Sequence, residues 1–92
     1  MGMRWVEKIH LVGIGGSGMG GIAEVLHNLK YKVTGSDVAS GVVTKHLSKL
    51  GVKVTYAHIA ENVADCDVIV ASSAIPEQNI ELIAARKRRI PI

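Results

Sequence analysis

The sequence predicts an α/β fold of the Rossmann-like kind: three layers, α/β/α, around a parallel sheet of about five strands in the order 3-2-1-4-5, incomplete at its C-terminus. Three observations carry that expectation. Short apolar runs alternate with segments of helical period along the chain. The first apolar run leads into Gly13-x-Gly15-x-x-Gly18, and Asp37 follows 19 residues after the last of these glycines. The run Asp67 to Ala71 is apolar after its first residue, as suits a strand covered on both faces.

The elements follow in order. Strand one is Lys8 to Val12. Helix one spans Gly18 to Leu29, with Ile22, Ala23, Leu26 and Leu29 on one face. Strand two is Lys32 to Gly35. Helix two runs from Val42 to Leu50, with Val43, Leu47 and Leu50 as its stripe and Gly51 as its stop. Strand three is Lys53 to Tyr56, and one turn of helix covers Ala60 to Val63. Strand four is Asp67 to Ala71. Helix three starts after Asn79, whose side chain can cap it, and ends near Arg89. Ile90-Pro91-Ile92 reads as the opening of a fifth strand.

Right-handed crossovers restrict how such a chain winds, and the winding direction reverses between strands one and four. Ligands of such sheets bind at the carboxyl ends of the strands, at that reversal. The Gly13–Gly18 turn and Ser72-Ser73-Ala74-Ile75 therefore flank one crevice. Gly13 suits the tight turn, Gly15 lets a pyrophosphate approach the backbone, and Gly18 lets the helix pack on the strand. The first helical turn, near Ser17 to Gly20, has N–H groups without intrahelical partners, and the positive end of the helix dipole favours a phosphate there. Ser17, Ser72 and Ser73 can add hydroxyl donors. Asp37 stands where an acid meets a ribose or base. The plainer alternatives are a tight βα turn without a ligand and ordinary loop hydrogen bonding by the serines.

Composition bounds the rest. The chain has 92 residues, enough for one domain, and its 48% hydrophobic and 21% charged content is that of a globular protein. Phe is absent, so the core is aliphatic. The net charge is +3, and much of it sits in Arg86-Lys87-Arg88-Arg89, which reads as a solvated last helical turn. No aromatic residues interleave with those cations, so a nucleic-acid partner is not expected. Cys66 is the only cysteine, which excludes an intrachain disulfide and fits a reducing cytoplasm. No apolar leader and no span long enough for a bilayer is visible, so no membrane partner is expected.

There is no GxxxxGK[ST] segment to hold ATP. His10, His27, His46 and His58 are scattered, so no metal site and no catalytic residue is expected. His10 reads as structural. His58, after strand three, can reach a ligand or can be a solvated loop histidine. Cys66 reads as a small buried hydrophobe.

Four blocks together resemble the N-terminal domain of the Mur ligases: His10-Leu-Val-Gly-Ile-Gly-Gly-Ser-Gly-Met19, Ile22-Ala-Glu-Val-Leu26, Tyr31-Lys-Val-Thr-Gly-Ser-Asp37 and Ser72-Ser-Ala-Ile75. The resemblance runs from about Lys8 to Pro91. It implies an incomplete Rossmann-like sheet holding the UDP part of a UDP-sugar, not a nicotinamide. Gly13, Gly15, Gly16, Ser17, Gly18 and Met19 would line the diphosphate. Ser36 and Asp37 would face the uridine, Ser72, Ser73 and Ala74 would close the opposite wall, and His58 would lie near the uracil. The resemblance further implies that residues 1–92 are one domain of a three-domain ligase. The missing central domain would bind ATP and Mg²⁺, and the missing C-terminal domain would help place the incoming amino acid. The glycine-turn wording favours the branch that adds L-alanine to UDP-N-acetylmuramate over the branch that attaches a whole peptide to it. On the residues alone, a nicotinamide- or flavin-binding domain stays open. Two departures stand out: Lys30 where the family commonly has Gly, and Gly20 where Ser is frequent.

Overall fold

The computed structural model describes residues 6–92. Residues 1–5, on which the expectation of no leader partly rests, lie outside them. Four parallel strands form one sheet in the order β3-β2-β1-β4, with β1 at Lys8–Val12, β2 at Lys32–Ser36, β3 at Lys53–Thr55 and β4 at Val68–Ala71. The helices are α1 (Met19–Asn28), α2 (Val42–Leu50) and α3 (Ile80–Lys87), and a single 3₁₀ turn occupies Ala60–Val63. Leu11 on β1 pairs with Gly35 on β2 and with Val70 on β4, so β1 is central.

Side chains alternate across a strand, so each strand feeds both faces. On one face Ile9, Leu11 and Val33 pack with Met19 and Ala23 of α1 and Leu47 of α2. On the other, Val12 and Ile69 pack with Val63, Leu82 and Ala85, beneath the 3₁₀ turn and α3. That is the expected three-layer arrangement.

The fifth strand does not form as a paired element. One backbone bond, from Ile69 N–H to the Pro91 carbonyl at 2.8 Å, sets the chain end beside β4. Pro91 has no N–H to return the bond, and proline in a sheet belongs at an edge. The expected edge position is therefore right, while the observed sheet has four strands.

The stripe read for α1 also needs correction. Ala23 is fully buried and Leu26 packs against the core, but Ile22 is 44% exposed and Leu29 63% exposed. The reason lies at Gly20, where an added Cβ would come within 2.6 Å of Val43 on α2. The helix turns its small residues inward to approach α2, which rotates Ile22 and Leu29 outward. On α2, Leu47 is buried as expected, while Val43 is 41% exposed.

All three helices end in the same way. Lys30 N–H bonds to His27 and Tyr31 N–H to Leu26; Gly51 N–H bonds to Ser48 and Val52 N–H to Leu47; Arg89 N–H bonds to Arg86 and Ile90 N–H to Ala85. Each pair forms a Schellman motif with one left-handed residue. Gly51 takes that position at φ +108°, but Lys30 (φ +76°) and Arg89 (φ +58°) do so without being glycine. Among the described residues, no helix is long and apolar enough to cross a membrane.

Candidate functional site

The β1–α1 turn and the loop after β4 are in contact. Ser72 N–H continues the ladder to the Val12 carbonyl at 3.0 Å, and Ala74 N–H bonds to Ser72 Oγ at 3.2 Å. A Cβ on Gly13 would meet Ile75 at 3.0 Å and Ser72 at 3.1 Å, and one on Gly16 would meet Ser72 Oγ at 2.9 Å. These glycines are thus needed for the close approach of the two loops. Gly18 differs: an added Cβ would meet nothing within 4 Å, and the requirement there is its φ of +78°. Close helix–strand packing is therefore not what Gly18 provides.

Asp37 closes the third side. Its Oδ2 accepts from Gly15 N–H at 2.9 Å and its Oδ1 from Ala39 N–H at 3.2 Å. A Cβ on Gly15 would come within 2.9 Å of that Oδ2. Gly15 is therefore the residue on which Asp37 sits, and its N–H is already engaged. Gly13 and Ile14 N–H groups both bond to the Ser36 carbonyl, Gly16 N–H to Gly13 and Met19 N–H to Gly16. Ser17 and Gly18, both exposed, and Gly20 and Gly21, the next residues of the first turn, carry the amides left for a ligand. A hollow of about 240 Å³ opens between Gly15, Asp37 and the start of α2 at Gly41 to Thr44.

The sequence-predicted residues thus separate into two groups. Gly13, Gly15, Gly16, Ser17 and Gly18 lie in the turn after β1, Asp37 follows β2, and Ser72, Ser73 and Ala74 follow β4, so all stand at the carboxyl ends of the strands; of these, Gly15 and Asp37 line the hollow. Met19 offers no free donor there, because its N–H bonds to Gly16 and its side chain is buried in the core. Ser36 and His58 belong to a second group. The Ser36 side chain has no exposed surface, and its hydroxyl donates to Glu81 Oε1 at 2.6 Å. His58 Nδ1 lies 3.1 Å from Ser36 Oγ and 3.5 Å from Glu81 Oε2, and its ring is 14% exposed.

Glu81 is the centre of this second group and was not foreseen. It is fully buried at the start of α3. His10 Nε2 approaches its Oε1 at 2.9 Å, while Ile59 N–H and Asn62 Nδ2 bond to Oε2 at 3.0 and 2.6 Å. Burial pushes the Glu81 carboxyl up, but the hydrogen bonds from His10, Ser36 and Asn62 outweigh it and bring it down to about 2. His10 is structural as expected, with Nδ1 on Thr34 Oγ1 at 2.7 Å. The overlooked signal was alternation: His10, Thr34 and Ser36 put polar groups on one face of a sheet expected to be covered on both sides.

Cys66 is half-buried, and burial pushes its thiol up to about 11, so it is a poor nucleophile at neutral pH. A hollow of about 300 Å³ lies near the amino ends of the strands, between Lys8, Lys32, Lys53 and Asp65. It lies at the other end of the sheet from the crevice.

Comparison with known proteins places these features in a family. A family model described as "Mur ligase family, catalytic domain" matches residues 8–92. A UDP-N-acetylmuramate–L-alanine ligase of Bordetella avium is 58% identical over 87 residues, which cover 95% of this chain and 19% of that protein. The chain thus spans about a fifth of the length of the curated relatives it matches. The crystal structure of the UDP-N-acetylmuramate-alanine ligase MurC of Thermotoga maritima superposes with a TM-score of 0.87 at 38% identity, over 92% of this chain and 20% of that one. The Neisseria ligase for UDP-N-acetylmuramate and L-alanyl-γ-D-glutamyl-meso-diaminopimelate gives 0.80 at 26% identity, over 94% of this chain and 28% of that one.

Proposed function

The chain belongs to the Mur ligase family, and we propose that it holds the UDP moiety of UDP-N-acetylmuramate for an ATP-dependent ligase that adds L-alanine in peptidoglycan precursor synthesis. The grouping of the glycine turn, Asp37 and the loop after β4 at the carboxyl ends of the strands carries this proposal. It combines unengaged amides at the start of α1 with the hydroxyls of Ser17, Ser72 and Ser73, and a carboxylate lies at one side. Amides at a helix N-terminus suit a diphosphate. Asp37, as an acceptor, suits a ribose hydroxyl. The 58% identity to an alanine-adding ligase, against 26% to a peptide-adding one, supports the alanine branch.

In this role the chain binds and orients the nucleotide end of the substrate and carries out no chemistry. ATP with Mg²⁺ would activate the muramate carboxylate, and the amine of L-alanine would attack it, in domains beyond these 92 residues. A cytoplasmic enzyme fits both the lone cysteine and the ATP requirement.

A ¹⁵N-NMR titration with UDP-N-acetylmuramate, and separately with NADH, tests the proposal. Shifts confined to residues 15–19, 37 and 72–74 are expected with the UDP compound alone. Asp37→Ala is expected to weaken that binding about tenfold, the scale of one hydrogen bond to a charged group. Shifts with NADH alone would replace the proposal with a dinucleotide site.

A further inference from the structure

We infer that the hollow at the amino ends of the strands is a second ligand site, for a sugar phosphate, with the phosphoryl group on Lys8, Lys32 and Lys53 and the sugar hydroxyls on Glu61, Asp65 and Asn62. It lies away from the crevice and stands independently of the UDP proposal.

The strand register brings the three lysines together. Lys8 on β1 pairs with Lys32 on β2, and Lys53 on β3 pairs with Thr34, two residues further along β2. Paired residues share a face of the sheet, and so do residues two apart in one strand. All three lysines therefore rise from the face that carries His10. That face is bare over β2 and β3. The chain crosses from β3 to β4 through a single 3₁₀ turn, and α3 packs further over, against Val12 and Ile69. Lys32 and Lys53 are exposed and Lys8 is half-buried.

The charges are arranged for an anion. Like charges directly opposite one another destabilise a sheet. Lys8 and Lys32 nevertheless form one register pair, and among the described residues no carboxylate makes an ion pair with either of them or with Lys53. Asp67, at the same edge, is taken up by the Glu7 and Lys8 amides. The helices run back against the strands, so they also end at this edge, with Lys30, Lys49 and Arg86 to Arg89. Charge of one sign gathered at one edge draws in anions.

The lining residues narrow the ligand. An ammonium group is a compact charge that suits a phosphoryl group, and no arginine fork lines the hollow to favour a planar carboxylate. Asn62 gives its amide protons to the Ala57 carbonyl and to Glu81. Its side-chain oxygen and the Thr55 hydroxyl have no partner among the described residues, and no buried side-chain atom there is unpaired, so both are open to solvent. Thr34 is engaged, with its Oγ1 at 2.7 Å from His10 Nδ1. Glu61 and Asp65, on the wall made by the 3₁₀ turn and the segment after it, repel a bare anion but accept from hydroxyls. A ligand that is anionic at one end and rich in hydroxyls at the other satisfies both walls. The hollow, at about 300 Å³, is of the size of a small-molecule site.

A ¹⁵N-NMR titration of the 92-residue chain with glucose 6-phosphate, and separately with inorganic phosphate and with glucose, tests the inference. Glucose 6-phosphate is expected to give saturating shifts at residues 32–34, 53–55 and 61–66, and to bind about tenfold tighter than phosphate, the scale of added hydrogen bonds to charged groups. Glucose alone is expected to shift none of them. Lys32→Ala and Lys53→Ala are each expected to weaken the ester about tenfold while the spectrum elsewhere keeps its parent positions. Asp65→Asn is expected to bring phosphate and the ester closer in affinity. No saturating shift at these residues, or shifts confined to the crevice, overturns the inference. Equal binding of phosphate and the ester by the parent chain overturns it too, as does ester binding that survives both lysine substitutions. None of these outcomes bears on the UDP proposal.

Discussion

The two faces of the sheet use the same strands but are held by different forces. Towards α1 and α2 the contact is aliphatic: Leu11, Ile14, Leu47 and Val52 are all essentially inaccessible to solvent. Towards α3, Val12, Ile69 and Leu82 share the interface with a buried carboxylate and the polar groups around it. The first face depends on area removed from water, and its buried residues carry no ionisable group. The second depends on each polar group keeping its partner, so one lost group strands several others.

The largest expected effect tests that difference. Glu81→Ala takes the acceptor from His10 Nε2, Ser36 and the Ile59 amide and leaves Asn62 Nδ2 only the Ala57 carbonyl, and the cost is expected at about 3–5 kcal/mol in urea denaturation. pH gives the complementary probe. Glu81 is held well below its ordinary 4.5, at about 2. A lowered folded-state value stabilises the protein above the unfolded-state value, and that stability is lost as pH falls from about 4.5 towards 2. Leu11→Ala, on the other face, is expected to cost about 2–5 kcal/mol while keeping the parent's loss of stability below pH 4.5. If Leu11→Ala also flattened that pH dependence, the two faces would not be separable.

On the aliphatic face the next effect comes from adding atoms. Gly35 is packed so closely beneath Ile14 that an added Cβ would overlap its side chain, lying 2.7 Å from the Ile14 Cβ. Gly35→Ala is expected to cost about 1–3 kcal/mol by overpacking. In a double-mutant cycle Ile14→Ala is expected to recover part of that cost, because the two positions share one space. Additive costs would show that the clash is relieved elsewhere.

The same contrast explains what could be read from sequence. Period and glycine spacing announce apolar packing directly, so Lys8–Val12 and Val42–Leu50 fall on their predicted residues. The two sides of the crevice followed from topology, since a parallel sheet whose winding reverses must bring Gly13–Gly18 and Ser72–Ile75 together. The polar group left no such trace. Glu81 two residues after Asn79 looks like a routine acid in a first helical turn. Its partners lie 19 to 71 residues away in sequence, and only the folded chain brings them together. Likewise, the role of Gly20 in the contact with Val43 depends on a neighbouring helix, so the outward rotation of Ile22 was not visible in helical period alone.

The smallest effect concerns what the two faces share, the way their helices stop. Lys30 ends the helix on the aliphatic side and Arg89 the helix on the polar side, both left-handed and both without glycine's freedom. A left-handed conformation costs a side-chain-bearing residue about 1–2 kcal/mol. Glycine removes that strain but adds about 0.5–1 kcal/mol of chain entropy to be lost on folding. The difference for Lys30→Gly is a gain of about 0.5–1 kcal/mol, which at this chain length raises Tm by roughly 4–8 °C per kcal/mol. Arg89→Gly is expected to gain a similar amount, because the same motif is formed at both helix ends. The two gains are expected to add, since the sites lie on opposite sides of the sheet and share no partner. A loss of stability in Lys30→Gly, measured by thermal unfolding, would mean that the lysine side chain contributes more at this helix end than its backbone strain costs.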